Sequence, residues 1–258
     1  MRKTAATVTV STLILGIFGA FFRWLQNHNA FEKGTGYPIR AHGTTIVFLI
    51  YCALAIAAIA VMCFVWLRRY ACGRDVSALR CSTRVPAVLS WIFGVGFALG
   101  ACVVLFFSDF GTYPTMQRIF GAFGIIGGLC FPFLTAKTDG SARSFGTVAA
   151  STAVIFACYA LVFCYRIHSE DPIVGGYAVE VLAVAAAAAA LYYVAAFHFS
   201  AARGSRALFA VQLGVFFCVS TLFDSHSNSV TVMFLCMTGM LLLVEFLLVE
   251  NLRDGGAE

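Results

Sequence analysis

Long apolar runs separated by short polar breaks make up almost the whole chain. A transmembrane helix needs about 20 apolar residues, because each residue adds about 1.5 Å across a hydrocarbon core of about 30 Å. The runs that meet or approach this length lie at residues 5–24, 43–67, 85–107, 115–134, 145–165, 177–197, 207–223 and 230–248. The pattern therefore predicts an all-α fold: a polytopic membrane bundle of about eight transmembrane helices, forming one domain over residues 1–258.

The seventh run is the shortest, and it leaves an alternative open. Runs seven and eight could form one re-entrant hairpin instead of two full spans. The polar segment Asp-Ser-His-Ser-Asn-Ser at residues 224–229 separates them. A polar break of this kind is typical of a turn between two spans, so we expect two helices there.

Lysines and arginines gather in alternate breaks, and this sets the expected orientation. Most of them lie at the helix ends that share a side with the N-terminus. Short cytoplasmic loops of membrane proteins carry the excess of Lys and Arg. We therefore expect both termini to be cytoplasmic, the first loop to face outward, and the protein to be a multi-pass protein of the cell (plasma) membrane.

Composition supports the membrane class and argues against nucleic acid. The chain is 61% hydrophobic and 11% charged, whereas soluble domains are roughly 25% charged. The net charge of +5 could suggest a nucleic-acid partner, but the basic residues lie in short loops without interleaved aromatics. The expected partner is the lipid bilayer, with no nucleic acid.

Motifs for chemistry are largely missing from the sequence. Most of the ten cysteines lie in apolar runs, without CxxC or a Cys/His cluster, so we expect small buried hydrophobes and neither a metal nor a disulfide. The sequence contains no HExxH, GxSxG, P-loop or dinucleotide fingerprint. We therefore predict no catalytic residues and no cofactor, and we consider a non-enzymatic role more favoured.

The first polar loop carries a resemblance. It reads RWLQ at residues 23–26 and FEKGTGYP at residues 31–38. This loop resembles the first outer loop of a group of uncharacterised multi-spanning bacterial membrane proteins. The resemblance covers a small part of the chain and implies no activity, substrate or cofactor.

Charged residues near the predicted outer surface form the first candidate site: Arg23, Glu32, Arg118 and Glu180. A charge inside the membrane boundary is costly and usually faces water or the protein interior. The planar fork of arginine matches a carboxylate. These residues therefore predict an outward-facing pocket for a small anionic solute. The alternative is that the arginines reach the head groups, or pair with the two glutamates to hold the loop.

Glu245 is the second candidate, because it interrupts the apolar run 230–248. A carboxyl group there could bind a proton or an ion. The alternative is a shallow residue at the membrane surface, or one paired with Arg203 or Arg206.

Three functions follow from these patterns. The leading hypothesis is binding or transport of a small solute. The alternative is a non-transporting partner subunit or sensor, which would dock a membrane protein or a second copy through glycine faces (Gly96/Gly100 and Gly124/Gly128) and the loop 68–84. A weaker alternative is an intramembrane enzyme acting on lipid through Arg23, Glu32 and Arg118. Convergence of the four charged residues on an open cavity would favour the first hypothesis.

Overall fold

The computed structural model describes residues 2–32, 37–39, 41–71, 75–80, 84–107, 113–135, 141–169 and 173–254. Within these ranges the chain forms eight long helices, which confirms the predicted all-α bundle. They are α1 Arg2–Asn29, α2 Gly43–Arg69, α3 Arg84–Phe107, α4 Pro114–Leu134, α5 Ser141–Ile167, α6 Val174–His198, α7 Gly204–Ser220 and α8 Asn228–Glu250. Each is long and apolar enough to cross a membrane, α7 together with a 3₁₀ turn over Thr221–Phe223. Runs seven and eight are thus two separate helices.

The helices alternate in direction, so the bundle has two distinct ends. At one end, which we call the terminal end, the two-residue strand β1 (Tyr70–Ala71) pairs antiparallel with β2 (Arg253–Asp254). A 3₁₀ turn over Val76–Leu79 lies there as well, and the Asn251 side chain donates to the Ala78 carbonyl at 3.0 Å. The opposite end, where α1, α3, α5 and α7 finish, is called the distal end below.

Helix α7 lies at the centre and is enclosed by α1, α2, α6 and α8. The periphery is apolar: on α2, Leu54, Val61 and Phe64 are 64%, 61% and 60% exposed. Soluble proteins rarely expose a contiguous apolar surface of this extent, whereas a bilayer requires it. The fold is that of a multi-pass membrane protein.

Helices α3 and α4 pack closely, and two glycines of α4 lie at their contact. A Cβ added at Gly128 would lie 2.8 Å from both the Ala98 nitrogen and the Gly94 oxygen on α3. One added at Gly124 would lie 2.8 Å from the Ala101 Cβ. The glycines of α3 do not all contact α4. Gly100 faces Met233 of α8. Glycine thus brings α3 against two neighbours at once.

Candidate functional site

Arg23, in the last turns of α1, is fully enclosed by protein. Its side chain is 1% exposed. The Nε donates to Asp224 Oδ1 at 2.6 Å, and Nη1 donates to Gln26 Oε1 at 2.8 Å and to the Gly175 carbonyl at 3.1 Å. The Nη2 donates to the Gly176 carbonyl at 2.7 Å. Arg23 therefore ties α1 to the start of α6 and to the turn between α7 and α8.

Asp224 is satisfied on both of its carboxylate oxygens. Besides Arg23, Asn27 Nδ2 donates to Oδ1 at 2.8 Å, and Thr221 Oγ1 donates to Oδ2 at 2.8 Å. We call Arg23, Gln26, Asn27, Thr221 and Asp224 the distal cap. The guanidinium group is committed to protein oxygens, which leaves no open fork for a carboxylate ligand.

The structure does not bring the four predicted residues into one cavity. Glu32 follows α1 and is exposed, and its backbone nitrogen donates to the Tyr37 carbonyl at 3.0 Å. Arg118 is exposed on the first turns of α4. Neither is among the described contacts of Arg23. Much of the predicted loop turn, residues 33–36 and 40, lies outside the described residues.

Glu180 lines a cavity at the distal end. This distal cavity has a volume of about 190 Å³ and is enclosed by α3, α4, α5, α6 and α8 with the turn before α8. Its walls are mainly apolar, including Phe97, Phe120, Phe156, Phe163, Ala160, Ala187, Met233, Phe234 and Met237. Its polar lining is Cys164, His168, Glu180, Ser225, His226 and Ser227. The cavity thus has an apolar body and a polar distal end.

Two imidazoles flank the Glu180 carboxylate at that end. Glu180 Oε2 lies 3.0 Å from His168 Nε2 and 3.6 Å from His226 Nδ1. The His168 ring stacks on Tyr177, with centroids 4.7 Å apart. His226 Nε2 lies 3.0 Å from the Thr221 carbonyl oxygen and 3.1 Å from Thr221 Oγ1. A continuous polar chain therefore runs from Glu180 through His226 and Thr221 to the distal cap.

Cys164 joins this group from one turn earlier on α5. Its thiol, an imidazole nitrogen of His168 and a carboxylate oxygen of Glu180 all lie within 4.8 Å of one another. Neither a CxxC motif nor a Cys next to a His marks this cluster in the sequence, so the prediction of no metal site did not include it. The available signal was the spacing of four residues between Cys164, in the last turn of α5, and His168, just after that helix, because four residues correspond to about one helical turn.

Glu245 lies in the packed centre of the bundle, with 0% exposure. Its Oε1 accepts from Thr12 Oγ1 at 2.7 Å and from Gln212 Nε2 at 2.8 Å, and the Cys63 thiol donates to Gln212 Oε1 at 3.1 Å. These contacts join α1, α2, α7 and α8. Glu245 is enclosed by protein and does not reach the surface of the bundle.

The second carboxyl oxygen of Glu245, Oε2, differs from Oε1 in its hydrogen bonding. Among the described residues, Oε2 has no hydrogen-bond partner although it is buried. Leaving a buried charge unpaired is very costly. A proton or a bound cation on Oε2 would remove that cost.

The distal cavity and the Glu245 centre are therefore two candidate sites at which polar side chains lie within the packed interior. Each is assembled from at least three separate segments of the chain. Comparison of the chain with protein-family models, with curated proteins and with solved structures gives no match.

Proposed function

We propose that this membrane protein binds a small, largely apolar molecule with a neutral or cationic polar end in the distal cavity. The observation that carries the proposal is a cavity of about 190 Å³ with apolar walls and the Glu180 carboxylate at one end. An engineered apolar cavity of about 150 Å³ is large enough to hold benzene. The distal cavity has room for one aromatic ring or a short alkyl chain.

The polar end of the cavity determines which ligand charge is favoured. An ammonium or hydroxyl group could donate a hydrogen bond to the Glu180 carboxylate, whereas a ligand carboxylate would be repelled by it. The buried cation nearest in the polar chain, Arg23, is already neutralised by Asp224 at 2.6 Å. These contacts favour a neutral or cationic solute over the anionic solute expected from the sequence. Binding is the step that transport and sensing share.

The same proposal includes the plasma membrane as the location of the protein and a cytoplasmic position for both termini. The lysines and arginines concentrated at the terminal end support a cytoplasmic position for that end. In a plasma membrane the distal cavity would then lie toward the outer surface. Solutes would reach it from outside the cell or from the outer leaflet.

The test uses three ligands with the same ring and different charge: phenethylamine, 2-phenylethanol and phenylacetate. Each is added to the purified full chain in detergent with a metal chelator, and thermal unfolding is followed. A ligand that binds only the folded state stabilises it by RT ln(1 + [L]/Kd). We expect the amine and the alcohol to raise Tm and phenylacetate to leave it unchanged.

Two variants localise the effect. Ala160→Phe fills the cavity and should abolish the rise in Tm. Val162→Phe adds the same ring on the lipid-facing side of α5, where Val162 is 57% exposed, and should keep it. Equal shifts in both variants, no shift in the wild type, or a stronger effect of phenylacetate would contradict the proposal.

A second candidate function rests on Glu245. We propose that its buried carboxyl group binds a proton or a monovalent cation, because Oε2 has no described partner. Access is offered by a groove of about 680 Å³ between α2, α6 and α7, which Cys63 and Arg206 line. Cys63 connects this groove through Gln212 to Glu245.

Infrared spectroscopy separates the two occupants. A bound proton gives a carboxylic-acid C=O stretch that disappears in Glu245→Gln. A bound cation instead makes the Tm of the wild type, but not of Glu245→Gln, depend on Na⁺ or K⁺. Absence of both signals in the folded wild type would rule out this candidate.

A further inference from the structure

We propose that Cys164, His168 and Glu180 bind a zinc ion at the polar end of the distal cavity. The inference deepens the proposed function and rests on it in one respect, since the cavity must be open to solutes for the ion to enter. It changes the expectation from the sequence, which was that the chain holds no metal.

The three ligand atoms are already close to the separation that zinc needs. The Cys164 Sγ, a His168 ring nitrogen and a Glu180 carboxylate oxygen lie within 4.8 Å of one another. Zinc bonds of about 2.0–2.3 Å put the ligands of a tetrahedral site roughly 3.3–3.8 Å apart. Side-chain rotations that shorten the longest separation by about 1 Å would complete the site.

The donor set selects the metal. A thiolate, an imidazole and a carboxylate together suit Zn²⁺, whereas Mg²⁺ and Ca²⁺ prefer oxygen ligands alone. Three protein ligands leave the fourth tetrahedral position open, as in zinc sites that bind water or a substrate. The group lines the distal cavity, so the hydroxyl oxygen of a neutral solute there could occupy that position.

The surrounding structure holds these ligands in place. Cys164 lies in the last turn of α5 and His168 follows directly after the helix, whereas Glu180 lies in the second turn of α6, which packs against α5. Stacking on Tyr177 fixes the plane of the His168 ring. His226 lies 3.6 Å from Glu180 and is itself anchored to Thr221. Such outer contacts orient metal ligands and raise affinity.

Cobalt provides the test, because Co²⁺ occupies zinc sites and is coloured. The chelator-treated full chain in detergent is titrated with Co²⁺ without added solute. We expect the visible bands of tetrahedral cobalt and a near-ultraviolet thiolate-to-cobalt charge-transfer band, at one ion per chain. Zn²⁺ should displace the cobalt and remove both signals.

Matched variants identify the ligands. Cys164→Ser should lose the charge-transfer band, whereas Cys158→Ser, an exposed thiol on the same helix, should keep it. His168→Ala and Glu180→Gln should weaken cobalt binding at least as much as His226→Ala, for which we expect about 10- to 100-fold. Size-exclusion chromatography and circular dichroism establish that each variant is folded.

The outcomes separate this inference from the proposed function. Ala160→Phe fills the apolar part of the cavity, so it should abolish the ligand-induced rise in Tm and keep the cobalt signal. Cys164→Ser should lose the thiolate–cobalt band. If folded wild type gives no thiolate–cobalt band, or if the band survives in Cys164→Ser, the zinc site is wrong, while a positive ligand series leaves the cavity proposal standing.

Discussion

Arg23 shows how one buried side chain can organise an end of the bundle. The ion pair with Asp224 is almost entirely buried, with 1% and 5% exposure of the two side chains. Taking two charges out of water is expensive, and a buried pair is tolerated only when its remaining donors and acceptors are also satisfied. Here backbone carbonyls of α6 and side chains of α1 complete it. The residue therefore holds three segments in register.

Arg23→Met is expected to destabilise the protein strongly. The substitution leaves Asp224 buried without its cation, a change that typically costs about 3–5 kcal/mol. Unfolding in detergent by heat or denaturant measures the loss. The double variant Arg23→Met/Asp224→Asn should recover part of it, and Arg118→Met, at an exposed position, should change little. A similar small effect of Arg23→Met and Arg118→Met would contradict the structural role of the distal cap.

Two buried threonines give opposite expectations for the same substitution. Thr12 Oγ1 donates to Glu245 at 2.7 Å, so Thr12→Val should cost about 1–2 kcal/mol through the lost hydrogen bond. Thr238 Oγ1 is buried and has no hydrogen-bond partner among the described residues. Thr238→Val removes an unsatisfied group and should be neutral or stabilising. Equilibrium unfolding of both variants checks the sign, and a loss at Thr238 as large as at Thr12 would be inconsistent with this hydrogen bonding.

At the scale of the elements, hydrophobic length predicted the helices well but not their ends. The first apolar run stops at residue 24, whereas α1 continues to Asn29. An apolar run in the sequence marks only the part of a helix that lies in the hydrocarbon core of the bilayer. Backbone hydrogen bonding continues through the polar turn that contains Gln26 and Asn27, and these residues build the distal cap.

Packing between elements was predictable where small residues mark it. The sequence marked the glycines of α4 as a close-packing face for a partner, and in the structure Gly124 and Gly128 face α3 of the same chain. Residues that pair across the bundle were not predictable in the same way. Arg23 and Asp224 are 201 positions apart, and eight helices of similar hydropathy can be arranged in many orders. Sequence could identify Glu245 and Glu180 as unusual, but it could not supply their partners.

Gly128→Ala tests the α3–α4 contact directly. The new methyl group would lie 2.8 Å from backbone atoms of α3, so the two helices must separate, at a cost of about 1–3 kcal/mol. Gly43→Ala is the control, because a Cβ at Gly43 meets nothing within 4 Å. Thermal unfolding of the two variants should differ clearly. If Gly128→Ala is as stable as Gly43→Ala, the close approach of α3 and α4 is wrong.

At the scale of the whole molecule, cavity volume and buried polar side chains are unevenly distributed across the bundle. Helix α7 and its neighbours form a tightly packed centre, whereas the distal cavity lies to one side, between α3, α4, α5, α6 and α8. The distal cap closes the bundle next to it, and the chain from Glu180 through His226 to Thr221 links the two. A ligand that moves Glu180 would therefore act on the contacts that hold the distal end together.

The central claim is that the distal cavity binds a small, largely apolar solute. Equilibrium binding of radiolabelled phenethylamine to purified wild type and to Ala160→Phe tests it most directly. We expect saturable binding of one molecule per chain to the wild type and loss of that binding in Ala160→Phe. Equal saturable binding to both proteins, or no saturable binding to the folded wild type, would contradict it.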